Sequence, residues 1–126
     1  IPKVISNAIS NKKIPIYSKG ENIRDWIHVS DHVTAIEKIL LSQETIGEVF
    51  NIGGENEVSN IELVKLILEK MSRKSDLIEY VEDRKGHDLR YAIDNSKIFR
   101  MLKWQPEINF NKGIDELIAN IKLKPS

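Results

Sequence analysis

The residues best suited to binding chemistry are Asp83-Arg84-Lys85-Gly86-His87-Asp88, followed closely by Arg90. Arginine presents a planar fork that matches phosphate oxygens, histidine can donate beside it, and Gly86 permits a tight bend with positive φ. The stretch reads either as a diphosphate clamp or as a solvated charged turn in which Asp83 and Asp88 pair with the cations. Arg24, in Ile23-Arg24-Asp25-Trp26-Ile27, is a charge inside a strand-like apolar run. An unpaired buried charge is costly, so Arg24 faces solvent, pairs with a carboxylate such as Asp25, or faces a ligand. Asn60 falls at a predicted helix start, where free N–H groups and the helix dipole favour an anion; an ordinary capped terminus is the alternative. Tyr17, at the end of Pro15-Ile16-Tyr17, could stack on a base. His28 and His32 have His-x-x-x-His spacing, which serves a metal only when both lie on one helix. A cap at Ser30 would leave His28 outside that helix, so no metal site is expected. Trp26 and Trp104 read as core residues.

These side chains need elements to carry them. Pro2 suits a first helical turn, with Ile5, Ala8 and Ile9 on one face. Ser30 is the expected N-cap of a helix carrying Val33, Ile36, Ile39 and Leu40. Ser59 and Glu62 make a capping box, and Val58 and Leu63 occupy hydrophobic-staple positions. Val64, Ile67, Leu68 and Met71 then complete an apolar stripe. Shorter helical patterns follow Asp94 or Asn95, with Ile98 and Leu102, and begin again near Asn111, with Ile114, Leu117, Ile118 and Ile121. Strands are predicted at 14–17, 23–29, 49–52, 77–81 and 91–93. Helices and strands intermix in short units, which predicts an α/β or α+β fold.

The 126 residues suffice for one compact domain. Nineteen basic and nineteen acidic residues balance, which argues against a broad nucleic-acid or anionic-membrane surface. Without cysteine there is no disulfide framework and no thiolate metal site, which suits a cytoplasmic protein. No apolar run can span a bilayer. Starting at Ile1-Pro2, the chain reads as a piece of something longer. It contains no Gly-x-Gly-x-x-Gly fingerprint, no Tyr-x-x-x-Lys pair, no P-loop and no Gly-x-Ser-x-Gly elbow.

In order and spacing, several stretches resemble the dTDP-glucose 4,6-dehydratases of the extended short-chain dehydrogenase/reductase superfamily. They are Pro15-Ile16-Tyr17 with Lys19-Gly20, Ile23-Arg24-Asp25-Trp26, Asn51-Ile52-Gly53-Gly54, Asp83 through Asp94, and Leu102-Lys103-Trp104-Gln105-Pro106. The Asn-Ile-Gly-Gly piece is common across the superfamily; Asp83–Asp94 is the more specific one. The resemblance implies that residues 1–126 are a small mixed α/β, C-terminal substrate-binding domain whose Rossmann half is absent. It implies that Arg24, Asn60, Arg84 and His87 contact the diphosphate region of a nucleotide sugar, in a loop that also holds Asp83, Lys85 and Gly86. Pro15, Ile16 and Tyr17 would lie by the thymine and deoxyribose. Lys85 departs from the family's usual proline.

The implied ligand is dTDP-glucose, converted with loss of water to the 4-keto-6-deoxy sugar. NAD and the catalytic residues would belong to the missing N-terminal Rossmann domain, so no turnover is expected from this chain alone. A homodimer is implied for the full-length protein, and an unusually apolar face toward the absent domain is expected here. The same domain of a nucleotide-sugar epimerase or decarboxylase, or a stand-alone binding module, is the alternative.

Overall fold

A computed structural model describes residues 1–123. Helix α1 (Pro2–Ile9) begins on its proline and buries Ile5 and Ala8. Strand β1 (Ile14–Tyr17) pairs in parallel with β4 (Ile78–Val81), with Ile14 opposite Ile78 and Tyr17 opposite Val81. Strand β2 (Ile23–Asp25) pairs antiparallel with β3 (Glu57–Ser59), so that Ile23 faces Ser59. Helices α2 (Val29–Leu41), α3 (Asn60–Lys70), α4 (Ser96–Leu102) and α5 (Phe110–Leu123) complete the α/β fold.

The main core lies between α1, α3, α5 and the β1–β4 pair. Ile5, Ile14, Ile67 and Leu68 are its most deeply buried side chains. The stripe predicted on α3 is fully inside, from Val64 to Met71. The Ser59 capping box is present in both directions: the Glu62 amide donates to Ser59 Oγ, and the Ser59 amide donates to the Glu62 carboxylate. Val58 and Leu63 pack on the same core. A smaller cluster joins Ala35, Ile98 and Trp104 with Ile39, Phe50 and Ile52.

Several expectations are corrected. Helix α2 begins one residue before Ser30, and its N-cap is His28, whose Nδ1 accepts from the Ser30 amide at 3.2 Å. Its buried face is Asp31 and Ala35, while Val33, Ile36 and Leu40 face outward. Strand β2 stops at Asp25: one more bond in register, Trp26 N–H to Asn56 O, follows it, and the Gly54 and Asn56 amides then turn to the Asp25 carboxylate instead of continuing a ladder. Residues 49–52 and 91–93 form no strand. At the second of these, pairing is reduced to one parallel bridge between Ile23 and Arg90, framed by Ile23 N–H to Leu89 O and Tyr91 N–H to Ile23 O. Strand β3 escaped prediction because Glu57-Val58-Ser59 is only three residues long, with a single apolar side chain.

Ile67→Ala should cost about 2–5 kcal/mol by opening a cavity in the main core. Leu40→Ala, on the outer face of α2, should stay within about 0.5 kcal/mol of the parent. Urea denaturation followed by circular dichroism checks both; a large loss at Leu40 would mean that α2 buries its Val33–Ile36–Leu40 face.

Candidate functional site

Strand alternation turns Ile14 and Ile16 into the core and leaves Pro15 and Tyr17 on the other side of β1. Tyr17 therefore ends the strand half-exposed, beside the end of β4 where the 82–91 loop leaves. The Arg84 guanidinium lies over the Tyr17 ring, 4.2 Å from its centroid, and Nη2 donates to the phenolic oxygen at 2.8 Å. His87 meets the same ring edge-on, with centroids 5.9 Å apart. Asp83 Oδ1 accepts the Arg84 amide at 2.8 Å and lies 2.7 Å from His87 Nδ1. That contact is a hydrogen bond in the tautomer that protonates Nδ1. The bond to His87, reinforced by the Arg84 amide, holds the Asp83 carboxyl below its ordinary value. Gly86 adopts φ +70°, the left-handed turn expected of it. Asp83, Arg84, His87 and Tyr17 thus form one contact group.

Arg24 forms a second group at the other end of the loop. Its guanidinium sits 4.7 Å from the Tyr91 ring centroid and donates to Ile23 O at 2.7 Å and Asp88 O at 3.0 Å. The Tyr91 hydroxyl donates to the Asp88 carboxylate, and this bond raises the phenol's pKa. Asp25, the ion-pair partner considered for Arg24, instead accepts the Gly54 and Asn56 amides at 2.9 Å. Arg90 is taken up by a two-point pair with Glu57 at 2.6 and 2.8 Å. That pair leaves Arg84, Lys85 and Arg24 as the cations the loop region can offer an anion. Lys85 makes no hydrogen bond or ion pair with another described residue.

The buried Asn22, which sequence reasoning missed, links these groups. Its Nδ2 donates to Asp88 O at 3.1 Å, and its own carbonyl accepts the Asn60 amide at 3.0 Å. Asn60 is therefore adjacent to the Arg24 group. The amides at the start of α3 are not free, however: Ile61 N–H donates to Gly20 O at 2.9 Å and Glu62 N–H to Ser59 Oγ. Any ligand contact by Asn60 must come from its carboxamide. Ile16 is in the core, so only its backbone can border a ligand. No signal within the sequence marks Asn22, because its partner lies 66 residues away.

A separate groove of ≈ 240 Å³ is lined by Trp26, His28, Asn56, Phe110 and Leu117, among others, and by none of the candidate binding residues. Among the described residues no His/Asp/Glu cluster is placed to hold a metal, and no helix is long and apolar enough to cross a membrane.

A sequence profile described as GDP-mannose 4,6 dehydratase matches residues 1–117, and the chain belongs to that family. Within it the chain is homologous to dTDP-glucose 4,6-dehydratases. It is 46% identical to the Escherichia coli enzyme of that name over 94% of this chain and 35% of the relative. Among solved structures it is similar to the dTDP-glucose 4,6-dehydratase of Bacillus anthracis in complex with NAD, at 42% identity and a TM-score of 0.86 over 94% of this chain and 37% of that one. It is also similar to the Streptomyces venezuelae enzyme with NAD and TYD bound, at 35% identity and a TM-score of 0.90 over the same shares. The chain therefore spans about a third of the length of the relatives it matches.

A carboxyl whose pKa is lowered by folding contributes its interaction above the unfolded value and loses it as pH falls through the folded value. Acid should therefore release the Arg84 amide and the His87 ring from Asp83 only below the ordinary carboxylate value of about 4. NMR shifts of both groups read this step, and Asp83→Asn should abolish it. A step at the ordinary value would show that the Asp83–His87 bond is not formed.

Proposed function

We propose that residues 1–126 form the nucleotide-sugar-binding domain of a dTDP-glucose 4,6-dehydratase. The observation that carries this reading is the Tyr17–Arg84–His87–Asp83 group: a cationic fork lying over a half-exposed aromatic ring, with an imidazole at the ring's edge. A pyrimidine nucleoside diphosphate requires that pairing, a stacking face next to phosphate donors. Arg84 exchanges the Tyr17 hydroxyl for a phosphate oxygen, while Asp83 keeps His87 and the loop in place. Arg24 and the Asn60 carboxamide extend the donor set, Lys85 adds a third cation, and Gly86 supplies the bend. Pro15 and Tyr17 border the base, together with the backbone of Ile16.

The ligand is dTDP-glucose, and this domain's role is to bind and orient it. The chain's own residues do not fit NAD. Its two parallel strands, β1 and β4, are joined by no glycine-rich strand-to-helix turn of the kind that cradles a pyrophosphate. NAD, which supplies hydride chemistry when bound, belongs with a Rossmann domain in the rest of the protein, and the complete protein works as a homodimer.

Calorimetric titration of the chain with dTDP and UDP should show preference for dTDP. Arg84→Ala, by removing a charge-assisted bond of about 1.5–3 kcal/mol, should weaken binding about tenfold to a hundredfold. Binding unaffected by Arg84→Ala would refute the clamp, and a preference for UDP would move the assignment to another nucleotide-sugar enzyme.

A further inference from the structure

Arg90 and Glu57 meet across strand β2, one from each side of it. Ile23 bridges to Arg90 on one edge of β2, while Asp25 pairs with Glu57 on the other. Paired residues share a face of a sheet, and neighbours along a strand alternate between faces. Arg90 and Glu57 therefore lie on the Ile23 face, and Arg24 and Tyr91 on the opposite one. The contacts agree. Arg90 reaches over β2 with Nε and Nη2 to the Glu57 carboxylate at 2.6 and 2.8 Å, and the Arg24 guanidinium sits 4.7 Å from the Tyr91 ring centroid.

Little else holds residues 89–91 in place. Among the described residues their backbone makes two hydrogen bonds, Ile23 N–H to Leu89 O and Tyr91 N–H to Ile23 O. Asn22 and Arg24 take the Asp88 carbonyl just before them. Leu89 and Tyr91 are 70% and 52% exposed, so no apolar burial anchors the segment. The Arg90 and Glu57 side chains are exposed as well, at 57% and 38%. An exposed ion pair contributes little to stability, but a two-point fork fixes orientation. Here the fork fixes the short segment that carries Tyr91, and with it the perch of Arg24. The Arg84 end of the 82–91 loop is held separately, by the β1–β4 ladder.

We propose that Glu57 and Arg90 are positioning residues: their two-point pair holds residues 89–91 against β2 so that Tyr91 presents the Arg24 guanidinium to the ligand's diphosphate. The proposal rests on the nucleotide-sugar reading above and extends it to two residues that touch no ligand. It assigns the pair to Arg24 alone and leaves Arg84 independent of it.

NMR and calorimetry on the chain test this. Without ligand, the Tyr91 ring should shift the Arg24 side-chain signals upfield. That shift should collapse in Glu57→Gln and in Arg90→Ala, and return in the charge-reversed double variant Glu57→Arg/Arg90→Glu. In titrations with dTDP, Arg90→Ala should weaken binding about twofold to fivefold. In an Arg24→Ala background it should have no further effect, whereas with Arg84→Ala the two losses should multiply. An Arg24 shift unchanged in both single variants overturns the proposal, and so does an Arg90→Ala loss that persists without Arg24. A parent chain that binds no dTDP refutes the nucleotide reading instead; the ligand-free Arg24 signal still decides whether the pair positions Arg24.

Discussion

Short polar side chains bind backbone that no ladder reaches, and the rest of the structure depends on them. The two sheets have two strands each, so much of the chain must satisfy its amides and carbonyls by other means. Asp31, buried in the first turn of α2, accepts the Glu107 and Ile108 amides at 3.1 Å and ties the approach to α5 onto that helix. Asn95 both accepts from the Gly53 amide and donates to the Gly53 carbonyl. Asp25 takes the Gly54 and Asn56 amides, and Asn22 takes the Asp88 carbonyl. Truncating such a group strands its buried partners, at a cost of about 1–3 kcal/mol each. The glycine pair follows from the same constraint. A Cβ on Gly54 would lie 1.9 Å from Trp26 O, and one on Gly53 would strike Asp25, so the 53–56 turn closes onto these acceptors only without side chains.

The site inherits its shape from this arrangement. The 82–91 loop is fixed at one end by the β1–β4 ladder and at the other by the Ile23–Arg90 bridge and the Asn22–Asp88 bond. Each anchor presents an arginine against a tyrosine, Arg84 on Tyr17 and Arg24 on Tyr91. A guanidinium on a ring face is held yet remains able to leave for a stronger acceptor, because the exposed contact is worth only about 0.5–1 kcal/mol. Arg90 is bound differently, in a two-point pair with Glu57 whose hydrogen bonds lower the Glu57 pKa and raise that of Arg90. One arginine of the loop thus locks it to β3 while its neighbours remain available.

Where the sequence misleads, the reason is the absence of a pairing partner or a competing acceptor. Ile23–Val29 has the composition of a longer strand, but Asp25 redirects the chain after three residues. Val49–Ile52 has β-type residues and correct alternation, yet strand formation requires a neighbouring strand that the described residues do not supply. On α2 the apolar residues are legible by type and spacing, whereas Ala35 and a buried aspartate occupy the side that faces the core. Period locates a stripe on a helix; it does not say whether the stripe faces this domain or another.

Local physics was sufficient wherever an element is governed by residues a few positions apart. The Ser59 box, the Pro2 start, the Ile67 stripe, the Asn95 boundary and the Gly86 bend all follow from interactions within about one helical turn or a single φ preference. The cations of the 82–91 loop were legible by type, as was their fitness for phosphate. Their division of labour was not. Which arginine meets Tyr17, which meets Tyr91 and which is consumed by Glu57 depends on contacts spanning 33 to 67 residues. Those contacts exist only once the parallel β1–β4 pairing has brought the two ends of the chain's middle together, and chain order carries no information about them.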